Sequence, residues 1–175
     1  MYKDLVAKWN PICKLVSRQD VRHLQSRHVD DSLGLITHLE AAKTVLDIGP
    51  GGGFPSIPLA LALPNVSFEL AERSSTKCRF LNHVKMRLNL INVKILEQDV
   101  RSISQGREIG FDVVTARAVA KPDALWEWSK ELLNPQGKLI LQTSEEFHEP
   151  LQQAIVEPSI AVRRGFVTLV SKARS

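Results

Sequence analysis

A chain of 175 residues with 43% apolar and 24% charged side chains can bury a real core, and its length fits one domain. No apolar run approaches the ~18 residues of a membrane span, and the opening MYKDLVAKWN lacks the apolar stretch of a secretion signal. Two cysteines, Cys13 and Cys78, are too few for a disulfide framework or a four-thiolate zinc site. They are expected to be small core hydrophobes, which fits a reducing cytoplasm. The net charge of +4 is unevenly spread. Residues 72–101 hold Arg73, Lys77, Arg79, Lys85, Arg87, Lys94 and Arg101 against Glu72, Glu97 and Asp99. Residues 161–175 hold Arg163, Arg164, Lys172 and Arg174 and no acid. Such clusters suit either solvated helix faces or phosphate contacts.

Residues 1–39 have helical patterning: Leu5, Val6, Trp9 and Ile12 lie near helical spacing, with Pro11 expected to break or kink the run. A second helix is expected from Ser17 or Asp20 toward Leu39. Thr44–Ile48 is a short buried strand, and residues 66–71 a second. Residues 74–89 form a helix with Phe80, Leu81, Val84 and Leu88 as its apolar stripe. Strands are expected at 93–97 and 111–115, then a helix at 122–133, a turn at Asn134-Pro135-Gln136-Gly137, and a fifth strand at 138–142. Residues 145–155 are weakly helical in pattern, and strands near 159–163 and 166–172 flank Arg164-Gly165 as a hairpin. Alternating strands and helices predict an α/β fold with a mostly parallel sheet. One domain spans 1–175, with a helical segment at 1–40 and an α/β core at 44–175.

The strongest signal is VLDIGPGGGFP, residues 45–55. An apolar strand runs into Gly49, Gly51, Gly52 and Gly53 and on to a helix near Pro55. Glycines there let backbone approach a ligand beyond the carboxyl end of the strand. The dinucleotide fingerprint G-x-G-x-x-G fails, because Phe54 occupies its last glycine, and no Gly-Lys-Ser/Thr of a phosphate loop follows. Asp47 precedes the first glycine, and this D-x-G-x-G-x-G form resembles the first motif of class I S-adenosylmethionine methyltransferases. Glu72, near the ~20-residue spacing at which an acid accepts ribose hydroxyls, is a ribose-binding candidate. Asp99, just after the third strand, is a candidate for the adenine side.

Several stretches together resemble one family: WNPICKLVS, RHVDDS, VLDIGPGGGFPSIPLA, ERSSTKCRFL and TARAVA. The chain is identified as a member of the bacterial 16S ribosomal RNA guanine-N7 methyltransferase G family (RsmG, also called GidB). That resemblance implies a Rossmann-like class I methyltransferase fold with helices on both faces of the sheet and a C-terminal antiparallel hairpin. It implies S-adenosylmethionine as cofactor, 16S rRNA or the 30S subunit as partner, cytoplasmic location, and neither a membrane nor an obligatory protein partner. It places Gly49, Gly51, Gly53 and Phe54 around the cofactor, with Asp47 ordering their loop and Glu72 on the ribose. Arg117 is implied at the methyl-transfer site, and Arg27, His28, Asp31 and Ser32 match a helical motif beneath the cofactor. Asn10, Arg27, Lys77 and Arg79 are the implied substrate-side residues. The chain departs from the family pattern at Lys14-Leu15-Val16-Ser17, at Ser56, at Asp99 and Arg101, and at Gln142-Thr143-Ser144.

Guanine N7 has a free lone pair, so its methylation needs no base, and His28 suits a structural hydrogen bond better than proton transfer. Trp9, Trp126 and Trp128 are stacking candidates, but Trp126 and Trp128 do not share a helix face, so one belongs in the core. At this stage the alternatives are a related methyltransferase with another RNA, a protein or a small molecule as substrate, and a non-catalytic binding module.

Overall fold

The computed structural model describes residues 1–103 and 110–173; Arg174 lies outside them. The strands are β1 (Thr44–Ile48), β2 (Ser67–Ala71), β3 (Val93–Leu96), β4 (Phe111–Arg117), β5 (Leu133–Thr143), β6 (Ala154–Val156), β7 (Ile160–Ala161) and β8 (Phe166–Lys172). They form one sheet in the order β3-β2-β1-β4-β5-β8-β6, with β7 also on β8. The first five are parallel, and β8 runs antiparallel between β5 and β6. The order reverses between β1 and β4, which opens the crevice at the carboxyl ends of those two strands.

Side-chain alternation along the strands divides the core in two. Val45 and Phe68 join residues of α1 (Tyr2–Cys13), α3 (Ser56–Ala62) and α4 (Ser75–Leu88) on one face. Leu46 and Ile48 join Leu125 and Trp126 of α5 (Pro122–Ser129) on the other. Trp126 is fully buried and donates its indole N–H to the Gln152 carbonyl at 2.9 Å. Cys78 is buried and Cys13 half-buried, both as free thiols.

Four expectations change. The helix toward Leu39 is a series of short turns: 3-10 turns at Asp20–His23 and Ile36–His38, a π-turn at Gln25–Val29, and the one-turn α2 at Asp30–Leu33. Ser32 donates to the His28 carbonyl at 2.5 Å, and the Asp30 N–H reaches the Gln25 carbonyl five residues back, so local bonds compete with a regular ladder. Residues 145–155 are not helical: Pro150 interrupts them, and β6 pairs with the free edge of β8 instead. Pro11 lies inside α1 without ending it. The helix expected to run to 133 stops at Ser129, and the 134–137 turn is absorbed into β5. Leu133 pairs with Phe111 and Lys138 with Val113, so residues 134–137 face Asp112 alone, as a bulge.

Asp112 anchors that bulge. One carboxylate oxygen accepts the Lys43 and Thr44 amides and the Thr44 hydroxyl at 2.8, 3.0 and 3.1 Å, while the other accepts the Asn134 side-chain amide at 2.8 Å. Burial opposes the charge, but these donors outweigh it and hold the carboxyl below its usual range. Its stabilisation is therefore present above the ordinary carboxylate value of ~3.9 and lost as pH falls below it. Asp112→Ala is expected to cost about 1–3 kcal/mol in urea denaturation at neutral pH, with the gap from wild type narrowing toward pH ~3.

Candidate functional site

Gly49 follows β1 and donates its amide to the Ala71 carbonyl at 2.9 Å, which ties the loop to β2. It has φ 65°, and a Cβ there would meet Val119 Cγ2 at 2.8 Å, so the two residues can approach only while position 49 is glycine. Gly53 has φ 87° and packs tightly against Ile57 and the Tyr2 hydroxyl. Gly51 differs: a Cβ there would have no atom nearer than 3.9 Å, and the Lys77 Nζ is one of the two at that distance. The Tyr2 hydroxyl donates to the Gly52 carbonyl at 2.5 Å, and Leu15 packs on Gly52. Asn10 supports that contact from below: its Oδ1 accepts the Val16 amide at 2.9 Å, which turns the chain back past Leu15.

Glu72 is 5% exposed and joins two loops. One oxygen accepts the Gly51 amide at 3.2 Å and the other the Ser74 amide at 2.9 Å. Beside it opens a cavity of about 390 Å³ at the carboxyl ends of β1, β2 and β4. Ile48, Val100, Val119 and Trp128 supply apolar wall, and Glu72, Asp99, Lys77 and Arg101 supply charge. The size and the mixed lining suit a small-molecule site. Asp99 grips Arg101 through two hydrogen bonds of 2.8 Å and also accepts its amide. These bonds hold the Asp99 carboxyl down at about 2. The Arg101 guanidinium lies 5.9 Å from the centre of the Trp128 ring.

Arg117 ends β4, next to Ala118 and Val119 on the cavity wall. Its Nη2 lies 3.4 Å from the Asp31 carboxylate and donates to the Arg27 carbonyl at 3.4 Å, while Nη1 is buried without a partner. Around it lie further buried polar groups. Asp47 is 1% exposed and both its oxygens lack hydrogen bonds; Ser56 turns its amide and hydroxyl toward them without closing a bond of good geometry. Burial pushes the Asp47 carboxyl up to about 7. His28 packs on Phe54 with ring centres 4.8 Å apart, and its Nε2 lies 3.7 Å from Asp20. Burial, reinforced by Arg117, pushes its imidazole down to about 4.

Of the residues singled out in the sequence, Gly49, Glu72, Asp99 and Lys77 lie on the cavity wall, and Arg117 adjoins it. Gly51 is bonded to Glu72. Gly53, Phe54, Asp47 and Asn10 lie behind the loop, where Phe54 stacks between Tyr2 and His28. Arg27 faces a separate concavity, and Arg79 is exposed on α4, near Thr76. Trp9 packs against Phe80 and His83, away from the cavity lining. Val119 and Trp128 were not foreseen as cavity wall. The positive φ of 52° at Ala118 that directs this part of the wall leaves no mark in composition or spacing.

A family model for rRNA small subunit methyltransferase G matches residues 1–173. A ribosomal RNA small subunit methyltransferase G of Neisseria meningitidis (strain Z2491) is 37% identical over 78% of this chain and 64% of its own length. One from Legionella pneumophila is 33% identical over 76% of this chain and 62% of its own. The chain thus spans less than two thirds of the length of these curated relatives. Among solved structures, a mutant of MtNAS in complex with S-adenosylmethionine superposes with a TM-score of 0.65 at 14% identity, over 99% of this chain and 72% of that one.

The two perturbed groups work against each other across one pH window. Asp47 takes up a proton more readily folded than unfolded, so its contribution to stability falls as pH rises from ~4 to about 7. His28 does so less readily folded, so its contribution rises between about 4 and ~6.5. In urea midpoints, Asp47→Asn is expected to gain stability from pH ~4.5 to ~6.5, and His28→Gln to lose it over the same span. Parallel pH profiles for the two variants would contradict this balance.

Proposed function

Because the chain belongs to the rRNA small subunit methyltransferase G family, we propose that it transfers a methyl group from S-adenosylmethionine to N7 of a guanine in 16S rRNA, as free RNA or within the 30S subunit. The reading takes residues 1–175 as one methyltransferase domain acting in the cytoplasm without an obligatory protein partner. The observation that carries it is the Glu72 carboxylate, bonded to the glycine loop at the mouth of a nucleoside-sized cavity.

The residues present fit that cofactor. Gly51 leaves free space where any other residue would place a side chain. Glu72 spends one amide bond on each oxygen and keeps lone pairs for ribose hydroxyls. Val100 and Trp128 offer apolar surface for an adenine, and Asp99, pinned by Arg101, is a fixed acceptor beside it. When bound, S-adenosylmethionine supplies an electrophilic methyl group on a sulfonium.

The rest of the work is alignment and exclusion of water, which can contribute ~7–11 kcal/mol toward a barrier of this kind. Guanine N7 presents its lone pair without losing a proton, so no general base is required. Arg117 orients the guanine by donating to O6 beside N7, and its position next to Ala118 and Val119 supports this role. Asp31 counters its charge from the other side. His28, buried and held neutral near pH 7, serves as packing for Phe54. Arg79, exposed on α4, is placed to meet RNA phosphate, while Lys77 lines the cavity beside Gly51.

Glu72→Gln is expected to weaken S-adenosylmethionine binding by calorimetry ~10–100-fold, the equivalent of losing charge-assisted bonds, and to lower the thermal midpoint by about 2–4 °C, because one buried backbone amide loses its acceptor. Arg117→Ala is expected to bind the cofactor near the wild-type affinity while labelled methyl transfer to 16S rRNA is lost. Unchanged turnover would reject the orienting role.

A further inference from the structure

Apart from the cofactor cavity, the described residues contain a concavity of about 410 Å³ walled by Arg18, Gln19, Arg22, His23 and Arg27. Only Arg27 of its charged wall is spent internally. The carboxylate beside it, Asp20, is already engaged: Arg27 lies 2.8 Å from it, Arg164 3.2 Å, and the Ser17 hydroxyl donates to it at 2.8 Å. Among the described residues, Arg18 and Arg22 have no acidic partner, and both are exposed. Two guanidinium groups thus face solvent from one hollow, each with donors in the fork geometry that matches phosphate oxygens.

The hollow is also coupled to the cofactor cavity. Arg27 is part of its wall, and the Arg27 carbonyl accepts from Arg117 at 3.4 Å. Arg117 in turn runs directly into Ala118 and Val119 of the cavity wall. The π-turn at Gln25–Val29 sets this arrangement, since it carries Arg27 with its side chain toward the hollow and its carbonyl toward Arg117. We propose that this arginine-lined hollow grips the phosphate backbone of the RNA strand flanking the target guanine, and so sets the register of the strand over the cofactor cavity. The inference rests on the methyltransferase reading and adds to it a docking surface separate from α4.

Binding of 16S rRNA, followed by filter retention between ~50 and ~200 mM KCl, tests this independently of catalysis. Arg18→Ala/Arg22→Ala is expected to bind ~10-fold more weakly, with a salt slope shallower by about 1 for each lost phosphate contact. Arg18→Lys/Arg22→Lys is expected to recover most of the slope. Circular dichroism and thermal unfolding check the fold of each variant, and Lys8→Ala/Lys43→Ala, which removes two exposed charges elsewhere, is the matched control. A double arginine variant that binds no more weakly than that control overturns the docking surface. If wild type binds RNA with the expected arginine dependence but transfers no methyl to it, the surface stands and the proposed reaction fails. Wild type that binds no RNA overturns both.

Discussion

The buried carboxylate of Glu72 is the constraint on which the site depends. It stands at the end of β2, yet one of its oxygens is committed to the loop after β1 and the other to the start of α4. A buried charge of this kind is tolerated only when donors surround it, and here those donors are backbone amides that would otherwise be unpaired. The bond therefore fixes three chain segments together. The cavity exists because these segments cannot close over it: Gly49 is pressed against Val119 on one side, and Gly51 leaves space on the other. The left-handed glycines of the loop and the acid that ties it down belong to the same device, one that sheet pairing alone would not supply.

Behind that device lies a polar interior with an unusual balance. The register sets Asp47 opposite Thr115 and Arg117 opposite Gln142. With two-residue alternation this lines one face of the sheet with polar groups beneath the 20–33 segment. Among the described residues, seven buried side-chain atoms there have no hydrogen-bond partner: His28 Nε2, both oxygens of Asp47, Ser56 Oγ, Thr115 Oγ1, Arg117 Nη1 and Gln142 Oε1. Burial pushes Asp47 toward neutrality from the acid side and His28 from the basic side. The Arg117 and Asp31 charges lie close together among them. Polar groups concentrated at one end of a sheet cost stability, and a packed apolar core on each face offsets that cost.

What was legible in the sequence follows from how local each cause is. The five parallel strands are short apolar runs bounded by breakers, and the glycine loop is a local backbone demand, so both could be read directly. Glu72 was found from spacing because a strand–helix–strand unit has a nearly fixed length. The 20–38 segment was misjudged because its helical periodicity is real but its ladder is interrupted by Ser32 and by bonds to distant residues, which no window detects. The 134–137 turn signal was correct about backbone irregularity and wrong about its consequence, since Asp112 and Asn134 hold the irregularity inside a strand as a bulge. In the same way Trp128 and Val119 become cavity wall through tertiary placement alone. The family resemblance supplied Arg117, but its buried ion-pair setting emerges only once α2 is folded onto β4.

The hairpin formed by β7 and β8 reaches back across the molecule. Arg163 meets Asp30 at 3.1 Å and Arg164 meets Asp20 at 3.2 Å, joining residues 133 and 144 positions apart. During synthesis, the 20–33 segment leaves the ribosome long before these two arginines are made. The bonds of Glu72 to Gly51 and Ser74 can form earlier, because all three residues lie between positions 51 and 74. The bracing of the 20–33 segment therefore waits until a further 133 and 144 residues have been added beyond Asp30 and Asp20, so a nascent molecule would hold the Gly51–Glu72 clasp before its arginine-lined hollow was pinned in place.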